Sequence, residues 1–236
     1  MTSQPAGDLI VALDLDSRAE AEFLVERLGD RVDFFKIGYR LFYGGDGYAL
    51  GKALLAAGKR VFFDLKLLDI GEVVEKGVAA IAGTGATMLT VHAYPQAMRA
   101  AARGAAGSDL TVLGVTVLTS MDDADLTESG YDRDAAGLVA LRAGQARDAK
   151  LGGVVCSPNE AAMVRQIVGP RMAIVTPGIR PAWSARGDQK RFTSPGDAIS
   201  SGVSHIVVGR PITGAPDPGE AVDRILTEMA GGLRVA

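Results

Sequence analysis

The chain reads as an α/β protein folded as a single (β/α)8 barrel over residues 1–236, and three observations predict it. Short β-rich apolar runs alternate with longer Ala-rich segments, the pattern of βα units on a parallel sheet. Eight such runs are present, the number that closes a barrel, whereas a doubly wound sheet usually needs fewer. Three successive runs carry charge at or near their C-terminal ends: Asp14, Lys36 and the hexapeptide Asp64-Leu65-Lys66-Leu67-Leu68-Asp69. That end of the strands is where barrels of this kind build active sites.

In chain order, the first strand is expected at 9–15, ending around Asp14, and is followed by a helix at 18–28. The second, at 34–39, contains Lys36. The stretch Gly44-Gly45-Asp46-Gly47-Tyr48 after it lacks G-x-G-x-x-G spacing and reads as a plain βα turn. The third, at 60–65, ends in the charged hexapeptide and leads to a helix at 71–81. The fourth and fifth, at 88–93 and 110–118, carry His92 and run up to Thr119, with a helix at 135–150 beyond. The sixth, at 153–157, holds Cys156, and Asn159 after Pro158 is expected to cap a helix at 159–167. The seventh, at 173–177, precedes a long connection at 180–192 with three arginines and Gln189, which suits a mobile clamp on an anion. The eighth, at 205–209, runs into Gly209-Arg210-Pro211, and a helix at 219–229 closes the series. Loops after strands seven and eight are the usual phosphate site of this architecture, where Gly209 permits close backbone approach and Arg210 supplies a bidentate fork. Several runs are continuously apolar, as strands buried on both faces are.

A formal net charge of -3 and a pI near 5.5 argue against a nucleic-acid partner. A local basic pocket remains available from Lys36, Lys66, Arg180 and Arg210. The single cysteine excludes an intrachain disulfide and fits a reducing compartment. The first residues show neither a basic region nor an apolar signal core, and no apolar stretch approaches membrane-span length. The expectation is a cytoplasmic protein without nucleic-acid or membrane partners.

Side chains alternate along a strand, so Asp64 and Lys66 share a face. Charges at strand ends are commonly solvated or paired in structural bridges, but recurrence on three neighbouring strands favours a site. The carboxylates of Asp14, Asp64 and Asp69 are candidate Mg²⁺ ligands. Interleaved Lys36 and Lys66 would repel the ion, so an organic anion is favoured and no metal or cofactor is expected. His92 receives no chemical role. His205 opens the eighth strand at the stability-bearing end and is expected to be structural, and Cys156 is expected to be a small core residue.

With these residues in hand, the chain resembles orotidine 5′-phosphate decarboxylase of the bacterial type over nearly its whole length. Matching segments are Ala12-Leu13-Asp14, Phe35-Lys36-Ile37-Gly38, the Asp-x-Lys-x-x-Asp motif, Leu118-Thr119-Ser120-Met121, Val154-Val155-Cys156-Ser157, Thr176-Pro177-Gly178-Ile179-Arg180-Pro181, Gly187-Asp188-Gln189 and Gly209-Arg210-Pro211. The resemblance implies a barrel homodimer that removes CO₂ from orotidine 5′-monophosphate to give UMP, the last step of pyrimidine nucleotide synthesis, without cofactor. It implies that Lys66 protonates C6 of the pyrimidine, held by Lys36, Asp64 and the Asp69 of the second subunit. It further implies ribose contacts from Asp14 and Lys36, a substrate contact from Thr119, and a phosphate grip from Arg180, Gln189, Gly209 and Arg210.

Two departures accompany the match. Many bacterial members have a His before the second Asp of the motif and Pro-Asn-Thr after Asp-Ile, where this chain has Leu68 and Gly71-Glu72-Val73. Valine for threonine keeps shape but removes a hydroxyl, which predicts weaker binding near the second subunit's ribose with the chemistry retained. The alternative enzyme is a Mg²⁺-dependent 3-keto-L-gulonate 6-phosphate decarboxylase or hexulose-phosphate synthase, relatives that typically carry Glu in place of Lys36. A nucleotide-sensing barrel without activity would require a broken charge array, and every member of the array is present.

Overall fold

The computed structural model describes residues 7–181, 183 and 193–232, and in it the eight expected strands close into one parallel barrel. The strands are β1 (Asp8–Ala12), β2 (Phe34–Ile37), β3 (Arg60–Leu67), β4 (Met88–His92), β5 (Thr111–Val115), β6 (Gly153–Val155), β7 (Ala173–Thr176) and β8 (His205–Val208). They pair in chain order, and β8 closes on β1 through Leu9↔Ile206 and Val11↔Val208. Inward-facing Ile10, Ala12, Phe34, Phe62, Met88, Leu113, Val175 and Val207 fill the barrel. Their outward neighbours, among them Val11, Phe35, Phe63, Leu89, Val154, Ile174 and Ile206, pack beneath the helices. Burial on both faces is why the strands read as continuous apolar runs. Phe34 and Phe62 are at most 2% exposed, and emptying such a site costs about 3–5 kcal/mol.

Helix Arg18–Leu28 starts at Ser17, whose hydroxyl accepts from the Glu20 amide, and helix Ala135–Asp148 starts at Asp134, which accepts from Gly137. Both caps satisfy amides that a helix start leaves unpaired. The expected cap at Asn159 is incorrect. Ser157 accepts from the Asn159 amide and opens a 3₁₀ turn, Pro158–Glu160, and the α-helix begins only at Ala161 and runs to Val168. The Gly44–Tyr48 stretch also differs from expectation, because a short helix, Tyr39–Tyr43, already follows β2. The glycines therefore join that helix to a second one, Gly47–Ala56.

Strand ends differ in an informative way. The apolar runs at 9–15 and 110–118 outlast their ladders, which stop at Ala12 and Val115, so Asp14 and Thr119 stand just past the sheet where side chains reach the barrel mouth. β3 does the opposite and continues to Leu67, two residues beyond the expected end, so both Asp64 and Lys66 are built into a strand.

At the opposite end of the barrel, Arg60 lies 4.4 Å over the Phe34 ring and bonds Asp8 at 2.8 Å and both oxygens of Asp33 at 2.8 and 2.9 Å. The hydrogen bond from Arg60 holds the Asp33 carboxyl below the usual carboxylate range. His205 joins this group through Asp8 at 3.5 Å and Ser204 at 2.9 Å, as expected for a structural histidine. No helix among the described residues is long and apolar enough to cross a membrane.

Candidate active site

Climbing the inner wall from the apolar plug, alternation turns the next side chains of β1, β2 and β3 into a charged row. Lys36 Nζ contacts Asp14 Oδ1 at 3.1 Å and Asp64 Oδ2 at 3.5 Å, and Lys66 Nζ donates to Asp64 Oδ1 at 2.7 Å. The sequence Asp14, Lys36, Asp64, Lys66 is thus a ladder of alternating sign, with one ammonium on each oxygen of Asp64. Gly38 leaves room beside it, because a Cβ there would meet Asp14 Oδ1 at 2.7 Å and Lys36 Nζ at 2.9 Å and displace the pair. Burial alone pushes the Asp64 carboxyl upward, but Lys36, Lys66 and hydrogen bonds from Lys66 and Thr90 outweigh it and hold the group below the usual carboxylate range.

The local backbone is bent to make this row. Between the paired positions Phe63↔Leu89 and Leu67↔Val91 the chain advances four residues on β3 but two on β4, so Asp64, Leu65 and Lys66 oppose Thr90 alone. This is a bulge. Lys66 has φ +45°, left-handed backbone that a non-glycine residue adopts at a cost of about 1–2 kcal/mol. Its amide donates to Thr90 Oγ1 at 2.9 Å, and its ammonium lies 5.5 Å from the Tyr39 ring. Nearby, His92 is half-buried. Burial, Lys66 and Arg142 hold its imidazole below its ordinary value, so it adds no cation beside Lys66 at neutral pH.

The ladder forms one wall of a cavity of about 460 Å³, and Thr119, Pro177, Gly178, Arg180, Gly209 and Arg210 line the rest of its mouth. Asp14, Lys36, Asp64, Lys66, Thr119, Arg180, Gly209 and Arg210, dispersed in sequence, therefore converge on one space. Gly178 has φ +83° and turns the chain after β7 so that Arg180 returns to the cavity. The Arg180 amide donates to Thr193 at 3.0 Å, which ties together the two ends of the long connection. Gln189, and residues 182 and 184–192 generally, lie outside the described residues. At Gly209 a Cβ would find Ala12 only at 3.6 Å, so its missing side chain widens the cavity.

Among the described residues, Asp69 is the expected site residue that does not line this cavity. It is exposed, accepts from the Ile70 amide at 2.6 Å, and stands among Leu68, Ile70 and Val73, which are 52%, 66% and 49% exposed. Cys156 is a core residue as expected, with burial and Glu160 pushing its thiol up to about 12.

Two residues of the site were not expected from the sequence. Arg40 lines the cavity, donates to the Asp14 carbonyl at 3.3 Å and pairs with Asp16, which fixes the loop that carries Asp14. Its signal was its position two residues after Gly38, on the helix that begins at the strand end. Thr90 is fully buried on β4 and reads in sequence as ordinary β-branched filler.

Magnesium does not fit this row, because the Lys36 ammonium already bridges Asp14 and Asp64. Among the described residues no group of three or more His, Cys, Asp or Glu side chains is disposed to hold a metal ion.

A charge ladder and converging arginines at the C-terminal mouth of a parallel barrel define a barrel enzyme for a small anionic substrate. Comparison with known proteins specifies which. Residues 7–225 match the family described as orotidine 5'-phosphate decarboxylase / HUMPS. The chain is 58% identical over 229 residues to an orotidine 5'-phosphate decarboxylase of Methylobacterium sp. (strain 4-46), covering 96% of this chain and 97% of the relative. It is 57% identical to that of Methylobacterium radiotolerans, with 97% and 98% covered. The crystal structure of orotidine 5'-phosphate decarboxylase from Lactobacillus acidophilus superimposes with a TM-score of 0.83 at 38% identity, covering 94% of this chain and 99% of that one. The chain belongs to the orotidine 5′-phosphate decarboxylase / HUMPS family and, like these full-length relatives, is a carboxy-lyase.

Proposed function

We propose that the chain converts orotidine 5′-monophosphate to UMP and CO₂, the closing step of pyrimidine nucleotide synthesis, and that Lys66 is its proton donor. The observation that carries this reading is the unbroken ladder Asp14, Lys36, Asp64, Lys66, ending in an ammonium at the cavity wall. Breaking the bond between C6 and the carboxyl carbon leaves the electron pair on C6, in an orbital that the ring delocalises poorly. A fixed ammonium stabilises charge at that atom and then delivers a proton to it, leaving a neutral amine that solvent reprotonates. Asp64 holds Lys66 in place and Lys36 holds Asp64 from its other oxygen. Asp14 and Lys36 face the ribose, Thr119 contacts the substrate, and Arg180, Gln189, Gly209 and Arg210 take the phosphate. Binding energy from the phosphate, remote from C6, is available to the chemical step as well as to affinity.

The enzyme in this reading is a cytoplasmic homodimer. The exposed apolar side chains around Asp69 are the surface that the second subunit covers, and Asp69 reaches across to complete its ladder. Leu68 and Val73, where many relatives carry polar groups, make this surface more apolar and remove one hydroxyl near the neighbouring ribose.

Production of UMP from orotidine 5′-monophosphate by the purified chain tests the assignment directly. Activity is expected to survive exhaustive chelation with EDTA unchanged, since Lys36 fills the metal position. Loss on chelation and recovery with Mg²⁺ would transfer the chain to the sugar-phosphate branch of the family.

The phosphate grip is tested by Arg210→Ala. Hydrogen bonds to charged groups contribute roughly 1.5–3 kcal/mol each, so kcat/KM for the nucleotide is expected to fall about 10- to 150-fold per bond lost. Turnover of the phosphate-free nucleoside is expected to change little. Equal losses for both substrates would relocate the phosphate.

A further inference from the structure

We infer that Thr90 is a positioning residue for the reaction: its hydroxyl clamps the bulged segment of β3 so that Asp64 and Lys66 are presented together to the cavity. The inference rests on the decarboxylase reading above and adds a residue that touches no substrate.

The hydrogen bonding around Thr90 admits one arrangement. The Thr90 hydroxyl oxygen lies 2.9 Å from the Lys66 amide nitrogen and 2.9 Å from Asp64 Oδ1. The amide can only donate, so it occupies a lone pair of the hydroxyl. An ionised carboxylate can only accept, so the single hydroxyl proton goes to Asp64. The same Asp64 oxygen receives the Lys66 ammonium at 2.7 Å. Backbone of Lys66, hydroxyl of Thr90, carboxylate of Asp64 and ammonium of Lys66 therefore form a closed ring of contacts.

The register shows why such a clamp is needed. Three residues of β3 face Thr90 alone, so regular ladder bonds cannot hold Asp64 to Lys66 in place. Lys66 is also in left-handed backbone, which persists only where surroundings enforce it. Thr90 is fully buried, so water does not replace its hydroxyl if it is removed. The titratable groups facing Asp64 are Lys36 from β2, Lys66 from β3, His92 from β4 and Tyr39 from the helix after β2. Among the described residues, only Thr90 bonds both the lysine backbone and the carboxylate.

The test compares Thr90→Val, which keeps the shape and deletes the hydroxyl, with Thr90→Ser, which keeps the hydroxyl. For Thr90→Val, kcat is expected to fall roughly 10- to 100-fold, the scale of a misplaced reacting group. UMP affinity is expected to stay within a few-fold, because the phosphate grip lies on other loops. Thr90→Ser restores turnover to within a few-fold of wild type. The hydroxyl also helps keep Asp64 ionised as pH falls, so its loss moves the acid limb of kcat/KM to higher pH. The ionisations of the substrate are common to all three enzymes and cancel in the comparison. Amide hydrogen exchange at Lys66 is expected to accelerate in Thr90→Val, a readout that needs no substrate. Wild-type kcat and Lys66 exchange in Thr90→Val would overturn the inference, as would equal impairment of both variants with an unmoved acid limb. A wild-type chain inactive on orotidine 5′-monophosphate would instead overturn the assigned reaction, while the exchange measurement still decides whether the clamp exists.

Discussion

Replacing Lys66 by alanine is expected to lower turnover of orotidine 5′-monophosphate by at least roughly 10⁴-fold, since proton donation and charge stabilisation at C6 disappear together. UMP is expected to bind within a few-fold of wild type, because Arg180, Gly209 and Arg210 stand on other loops around the cavity. The remaining ladder should tolerate the loss, as Lys36 still contacts Asp64 at 3.5 Å and Thr90 still donates to it at 2.9 Å. Single-turnover kinetics with calorimetric titration of UMP separate the two effects. Near-normal turnover in Lys66→Ala would remove the proposed proton donor. Weak binding of UMP with a matching loss of kcat/KM would instead make Lys66 a binding residue.

The second large effect comes from mixing two inactive enzymes. Lys66→Ala and Asp69→Ala homodimers are each expected to be severely impaired, for Asp69 lies outside the cavity of its own chain and is assigned to the neighbouring one. After dissociation and reassociation, a heterodimer holds one site carrying both defects and one carrying neither. Random assortment across an isologous interface then returns about a quarter of wild-type activity. If Asp69 served its own subunit, every heterodimer site would carry one defect and the mixture would stay inactive. Heterodimer formation, measured with differently tagged chains, makes either outcome decisive.

Much of this site was legible before the structure because its chemistry follows the period of a strand. Asp14 and Asp64 end apolar runs and Lys36 lies within one, so two-residue alternation puts these three on one wall, and the bulge in β3 sets Lys66 beside them. What was not legible depends on departures from that period. Nothing in Met88-Leu89-Thr90-Val91-His92 distinguishes Thr90 from a packing residue, because its partners are set by a register slip on the neighbouring strand. The same slip extends β3 beyond its expected end. Asn159 does not cap the α-helix because Ser157 captures its amide to open the Pro158–Glu160 turn, and the α-helix then starts at Ala161 without a side-chain cap. Arg40 looks in sequence like a solvated residue, since charged side chains on short helices usually are. Spacing alone placed Asp69 near the mouth without saying whose mouth it serves.

The apolar plug across the middle of the barrel governs traffic as well as stability. Ile10, Phe34, Phe62, Met88, Leu113 and Val207 separate the charged mouth from the Arg60 group at the far end, so among the described residues this layer is the floor of the cavity. Substrate and products of the proposed reaction pass on the mouth side of that floor. In the proposed reaction the nucleotide would therefore leave by the way it came, past Arg180 and Arg210 at the rim, before the cavity could refill.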